Sequence, residues 1–141
     1  MTALAGVILL IGRILFAGLF AHAARGHIQN HERYVSTAKG KLPIPAVAGW
    51  PTGAFLLLAD VSIVAGIWPD VGALMIALFL LPAATLFHQF WNVSDPAQRR
   101  TQESAFFRNV SLLGAALSLF ALFAVVGHID LAITGAAFSL R

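Results

Sequence analysis

The sequence predicts an all-α membrane protein, a four-transmembrane-helix bundle, and three observations predict it. Of 141 residues, 59% are hydrophobic and 11% are charged, against about 25% charged in an ordinary soluble domain. Four apolar runs, at 4–24, 45–68, 71–91 and 104–126, come near the roughly 20 residues that a spanning helix needs. The length between those runs leaves no room for a separate soluble unit, so 1–141 reads as a single transmembrane domain.

Helix one is the run at 4–24. Ala21-His22-Ala23 has the look of a leader cleavage site. The run is nevertheless too long for a leader, its start carries no positive side chain, and Arg13 interrupts its centre. It is therefore expected to stay as a spanning helix. The connection at 27–44 is the longest, and 29–38 can form a short surface helix. Gly40 and the Pro43-Ile44-Pro45 segment then force an extended approach to helix two. Trp68-Pro69-Asp70 is a tight reversal that makes helices two and three antiparallel neighbours. Pro82 interrupts the hydrogen bonding of helix three, which membrane helices tolerate when neighbours satisfy the freed carbonyl. Ser94-Asp95-Pro96 reads as a cap and first turn leading into helix four. On that helix Ser111, Ala115 and Ser118 form a small, mildly polar stripe. The apolar piece at 129–140 is too short to span and reads as a helix extension or an interfacial tail.

Lysine and arginine set the orientation. Arg25, Arg33, Lys39 and Lys41 lie in the first connection, and Arg99, Arg100 and Arg108 in or just after the third. The second connection and the N-terminal segment have none. The positive-inside rule then places both termini outside the cytoplasm, in a multi-pass protein of a bacterial-type inner membrane. Trp50, Trp68 and Trp91 fall at helix ends, where an aromatic belt belongs.

Composition also excludes functions. With no cysteine, thiolate catalysis and cysteine-ligated metal are removed. Nucleic acid is not an expected partner for so apolar a chain. No histidine spacing suits a metal, because His27 and His31 sit four apart in a connection without a third ligand. His128 and Asp130 read as interfacial.

Two polar layers remain. Arg13 on helix one and Asp60 on helix two stand at matching depth, roughly 14 and 12 Å below the outer surface at about 1.5 Å per residue. Opposite charge at one depth predicts a buried ion pair, which either fixes helix register or lines a cavity for a polar head group. Nearer the cytoplasmic end come His22 on helix one, His88 and Trp91 one turn apart on helix three, and Arg108 and Asn109 on helix four. These five residues are the candidate cofactor-binding set. His88 is expected to center a pocket, because imidazole can exchange protons near neutral pH. The alternative is a belt of side chains that meets lipid headgroups.

Several stretches resemble the DoxX family of small membrane proteins. They are Gly12-Arg13-Ile14-Leu15-Phe16, Gly40 with Leu42-Pro43-Ile44-Pro45, Phe87-His88-Gln89-Phe90-Trp91 with Asp95 beyond, Phe106-Phe107-Arg108-Asn109, and the ending from Gly135 to Leu140. The family often has Glu where this chain has Asp60, and Lys where it has Arg108; both departures keep the charge. The resemblance implies a four-helix membrane fold. It also implies association with respiratory or redox systems, such as a membrane subunit of a thiosulfate:quinone oxidoreductase or a partner of soluble oxidoreductases. It implies no single reaction.

Three functions stay open from sequence. One is a membrane subunit that binds a quinone or similar amphipathic molecule and serves a redox partner. The second is a non-catalytic anchor or assembly subunit, in contact with membrane lipid and with other subunits of a redox complex or its own copies. The third, a small-solute or proton transporter, is opposed by the lack of inverted repeats and of paired broken helices.

Overall fold

The computed structural model describes residues 2–140. Among these residues the fold is all-helical, without strands. Three helices are long and apolar enough to cross a membrane, and a fourth apolar helix is shorter.

Helix α1 runs Ala3–Gln29. It starts where the Thr2 hydroxyl accepts the Ala5 amide at 3.3 Å, and it continues one turn past the apolar run. The surface helix α2 follows at once, His31–Ala38. A 3₁₀ turn at Pro45–Ala48 leads to α3, Trp50–Ala65. This helix of 16 residues spans about 24 Å at 1.5 Å per residue. Gly66 ends it at φ +66°, a backbone conformation that glycine adopts without steric cost. Helix α4 covers Pro69–Phe87 and passes through Pro82 unbroken. A second 3₁₀ turn, Phe90–Asn92, precedes α5, Pro96–Val126. Asp95 caps α5 by accepting the Gln98 amide at 2.8 Å, as its sequence position suggests.

In space the helices follow chain order: α1 packs on α3, α3 on α4 and α4 on α5. Helices α1 and α5 barely meet by backbone. Two glycines set the close approaches. A Cβ on Gly53 would lie 2.8 Å from the Ala24 carbonyl oxygen of α1, and one on Gly72 would lie 2.7 Å from the Ala59 carbonyl oxygen of α3. Small residues at such contacts let backbones draw together where no hydrophobic driving force operates. The Ser62 hydroxyl ties the α3–α4 reversal by donating toward the Ile67 and Trp68 carbonyls and accepting the Gly72 amide. The core holds Phe20, Leu56, Ile63, Ile76, Leu80 and Ala116.

The stripe of Ser111, Ala115 and Ser118 faces away from the bundle, and all three are exposed. The packed face of α5 runs instead through Ala105, Ala116, Phe123 and Ala124. The segment 127–140 is not a helix extension. It is irregular and folds back over the bundle end where α1 begins and α3 meets α4. There Ile133 and Thr134 amides donate to the Ala65 and Gly66 carbonyls, at 3.1 and 2.9 Å. We call this the tail end. The opposite end carries Arg25, Arg33, Lys39, Lys41, Arg99, Arg100 and Arg108 and is called the basic end.

Candidate functional site

At the tail end Arg13, Asp70 and Thr134 are bonded to backbone. Arg13 is fully buried. Its guanidinium donates to the Leu131 carbonyl at 2.8 Å and, at 3.4 Å, to the Ile63 carbonyl. The expected bond to Asp60 is not made: both Asp60 oxygens are buried without a hydrogen-bond partner among the described residues. The reason is the tail. It offers a carbonyl, and the end of α3 offers another almost one turn beyond Asp60, so the guanidinium reaches toward backbone rather than across to the carboxylate. Asp70, also fully buried, accepts the Ala137 and Phe138 amides at 2.9 and 2.7 Å. The Thr134 hydroxyl accepts the Trp68 amide at 2.8 Å. Sequence reasoning treated Asp70 only as part of a turn. Its role needs a tail that returns, and no local pattern announces that.

At the basic end the structure leaves space. A cavity of about 790 Å³ lies among α1, α4 and α5, floored by α2 and the lead into α3. Its wall includes His22, His88, Arg108 and Asn109, four of the five residues singled out from sequence. The three helices that carry them lean around the seam where α1 and α5 do not close. Pro82 and Ala83 of α4 also face the space.

Trp91 is not part of it. Helix α4 ends at Phe87, so His88 and Trp91 do not share a helical face as expected. The chain turns at His88, and Trp91 enters the 3₁₀ turn, where its ring packs edge-on against Phe90 and Phe106 at 5.2 and 5.6 Å. The aromatic wall comes instead from Phe79, Phe87 and Tyr34.

His88 Nδ1 lies 2.8 Å from Gln102 Oε1. An amide oxygen only accepts, so Nδ1 carries the proton in this arrangement and Nε2 is left as an acceptor when the ring is neutral. Gln102 therefore orients the imidazole, and sequence reasoning passed over it. His27 was passed over too, because helix one was ended at Ala24. The extra turn of α1 buries His27 between Tyr34, stacked at 3.9 Å, and Phe79, edge-on at 5.9 Å. Its Nδ1 donates to the Ala48 carbonyl, which pins the lead into α3 to the end of α1. His31 has a structural task, accepting the Trp50 amide at 3.0 Å at the start of α3. A Cβ on Gly49 would strike the His31 ring.

The cavity has a marked charge balance. Arg33 and Arg108 both line it and no carboxylate does. Neither guanidinium has a hydrogen-bond or ion-pair partner among the described residues. Arg108 also borders a shallow groove on α5 with Arg100, Thr101 and Ser104. Among the described residues, no three His, Cys, Asp or Glu come together in a way that could hold a metal ion. The arrangement is a largely apolar chamber with polar groups on its wall, of the size that takes one small organic ligand.

No curated protein and no solved structure matches the chain. The family model for DoxX matches residues 8–89, more than half of the sequence. The matched stretch runs from Arg13 through Asp60 to His88, so it spans both polar layers; the Arg108–Asn109 motif and the tail lie beyond it. On that match, the chain belongs to the DoxX family.

Proposed function

We propose that the protein is a four-helix integral membrane subunit whose basic-end cavity binds a quinone or a similar amphipathic molecule in the service of a redox partner. One observation carries the reading. His22, His88, Arg108 and Asn109, drawn from three helices, border one chamber of about 790 Å³ whose remaining wall is largely apolar and aromatic. A quinone needs an apolar slot, a ring to stack on, and one or two groups that bond to its oxygens. Phe79, Phe87 and Tyr34 supply rings, and Asn109, Arg108 and His88 supply the polar contacts.

The 16 residues of α3, extended by the preceding 3₁₀ turn, complete the fourth crossing. The cationic end faces the cytoplasm, both termini lie on the other side, and Trp50, Trp68 and Trp91, all exposed, stand in the interfacial belts. A reporter fused after Leu140 that is active only in the cytoplasm would overturn this orientation.

The test of function is direct. Protein purified in mild detergent should carry extractable quinone, and a short-tailed quinone should raise its melting temperature. Both effects should be lost in a His88→Ala, Asn109→Ala double variant and in Ala83→Phe, which fills the chamber. Wild-type protein that neither carries nor responds to quinone would favour the anchor or assembly role, with other subunits or further copies of the chain as its partners.

A further inference from the structure

We infer that the cavity selects a single-chain amphiphile whose head carries a negative charge on oxygen, held between Arg33 and Arg108. The inference rests on the amphiphile reading above and adds the charge of the ligand to it.

The first observation is the imbalance. Arg33 reaches the chamber from α2 and Arg108 from α5, and no aspartate or glutamate shares the wall. The nearest acids in sequence, Glu32 and Glu103, stay outside it. The second is that both guanidinium groups are unengaged among the described residues. Arg99 and Arg100 are unengaged too, but they lie outside the chamber, so Arg33 and Arg108 are the unengaged guanidinium groups that border it. Two exposed guanidinium groups bordering one chamber suit a carboxylate or an ionised hydroxyl beside a carbonyl, each able to give it paired N–H donors.

The third observation is shape. Behind the polar rim the wall is Leu19, Phe20, Phe79, Leu80 and Leu112. A wall of that kind rewards a hydrocarbon tail or ring and gives nothing to a free inorganic anion. The volume of about 790 Å³ is that of a site for one drug-sized ligand and not for a two-chain lipid. The head chemistry has two sources, a fatty carboxylate or the ionised hydroxyl of an alkylated hydroxyquinone.

The experiment uses the full chain in nanodiscs of zwitterionic phosphatidylcholine at pH 8. Retained ligand is measured by mass spectrometry after gel filtration, against empty discs. Two matched pairs are compared: a fatty acid with the alcohol of equal chain length, and an alkylated 2-hydroxy-1,4-naphthoquinone with its parent lacking the hydroxyl. Wild-type protein should retain the anionic member of at least one pair about tenfold better than its neutral twin, a difference in affinity of one decade. Which pair responds identifies the source. Arg33→Gln with Arg108→Gln should erase the preference, so that the acid and its neutral twin are retained alike. Arg25→Gln with Arg99→Gln, which removes the same charge away from the chamber, should keep it.

Equal retention of acid and neutral twin in both pairs would overturn the inference and leave the amphiphile reading standing. So would equal loss of preference in the two double variants, since surface charge would then suffice. Displacement of every probe by phosphatidylglycerol would overturn the single-chain occupant. Retention of no probe at all would overturn the inference and the amphiphile reading together.

Discussion

At the tail end Arg13 and Asp70 are fully buried, and two Arg13 nitrogens and both Asp70 oxygens meet backbone from the α3 terminus and the returning tail, while Arg13 Nε and the Asp60 oxygens have no partner among the described residues. At the basic end His22 and Arg108 are exposed and His88 and Asn109 half-buried, all around an open chamber. The two ends hold similar residue types and use them differently. Where the chain folds back on itself, a charged side chain replaces water as partner of otherwise unpaired amides and carbonyls. Where α1 and α5 leave a seam, the side chains keep unspent donors and acceptors. The basic end has irregular chain too, held by His27 and His31, but His22, Arg108 and Asn109 make no side-chain hydrogen bond there among the described residues.

The largest effect should come from cutting the tail loose. In Asp70→Ala the Ala137 and Phe138 amides lose their acceptor. Hydrogen bonds to a charged group contribute about 1.5–3 kcal/mol each. Ala137 and Phe138 are exposed and regain water when the tail lifts, so the net loss should be about 2–3 kcal/mol. A thermal melt should fall accordingly, and hydrogen exchange should rise at 133–140 while α1 to α5 keep their protection. An unchanged melt with an unchanged exchange pattern would mean that the tail is held by apolar packing alone. Ligand retention at the other end should not change.

The next effect belongs to the chamber. His88→Ala with Asn109→Ala should weaken quinone or amphiphile binding by about tenfold or more, roughly 1.4 kcal/mol, with a melt in the absence of ligand close to wild type. If the ligand-free melt falls as far as in Asp70→Ala, the two residues serve structure and the contrast between the ends disappears.

Much of this contrast was legible before the fold was known. Apolar runs marked the helices because about 20 predominantly apolar residues in a row have few other uses, and the lysines and arginines marked one end. Depth arithmetic brought His22, His88, Arg108 and Asn109 to one level, and a level is half of a site. It could not say which side of each helix faces inward. Three features escaped for identifiable reasons. His27 escaped because polar residues after Ala24 hid another turn of α1. The fate of Trp91 escaped because hydrophobicity continues past Phe87 although the helix does not. The Arg13 contacts escaped because they are made by backbone carbonyls of residues 50 and 118 positions away, and carbonyls have no signature in a sequence.

That last point yields a smaller, sharper test. Opposite charges at equal depth suggested an ion pair, and removing one partner of a buried pair costs about 3–5 kcal/mol. In the structure Asp60 makes no hydrogen bond. Asp60→Asn should therefore cost less than about 1 kcal/mol, the net worth of a single hydrogen bond, since the Asp60 carboxylate makes none. A loss near the full ion-pair value would show that Arg13 depends on the carboxylate after all.

The smallest expected effect on ligand binding is at Trp91, and it is informative because it is small. Trp91 lies next to the chamber in sequence, three residues from His88, and would be chosen for mutation on that ground. Its ring instead belongs to a separate aromatic cluster with Phe90, Phe106 and Phe107, with centroids 5.2 to 6.2 Å apart. Aromatic pairs of this geometry contribute about 0.5–1.5 kcal/mol beyond burial. Because Trp91 is 49% exposed, Trp91→Ala should lower the melt by only about 1 kcal/mol. It should leave amphiphile retention and its dependence on head charge as in the wild type, whereas Phe87→Ala, which opens the chamber wall itself, should reduce retention. If Trp91→Ala cuts ligand binding as deeply as the His88 and Asn109 pair does, the bound state draws the 90–92 turn inward. The basic end would then be a site that closes on its ligand, and the seam between α1 and α5 would be the open form of it.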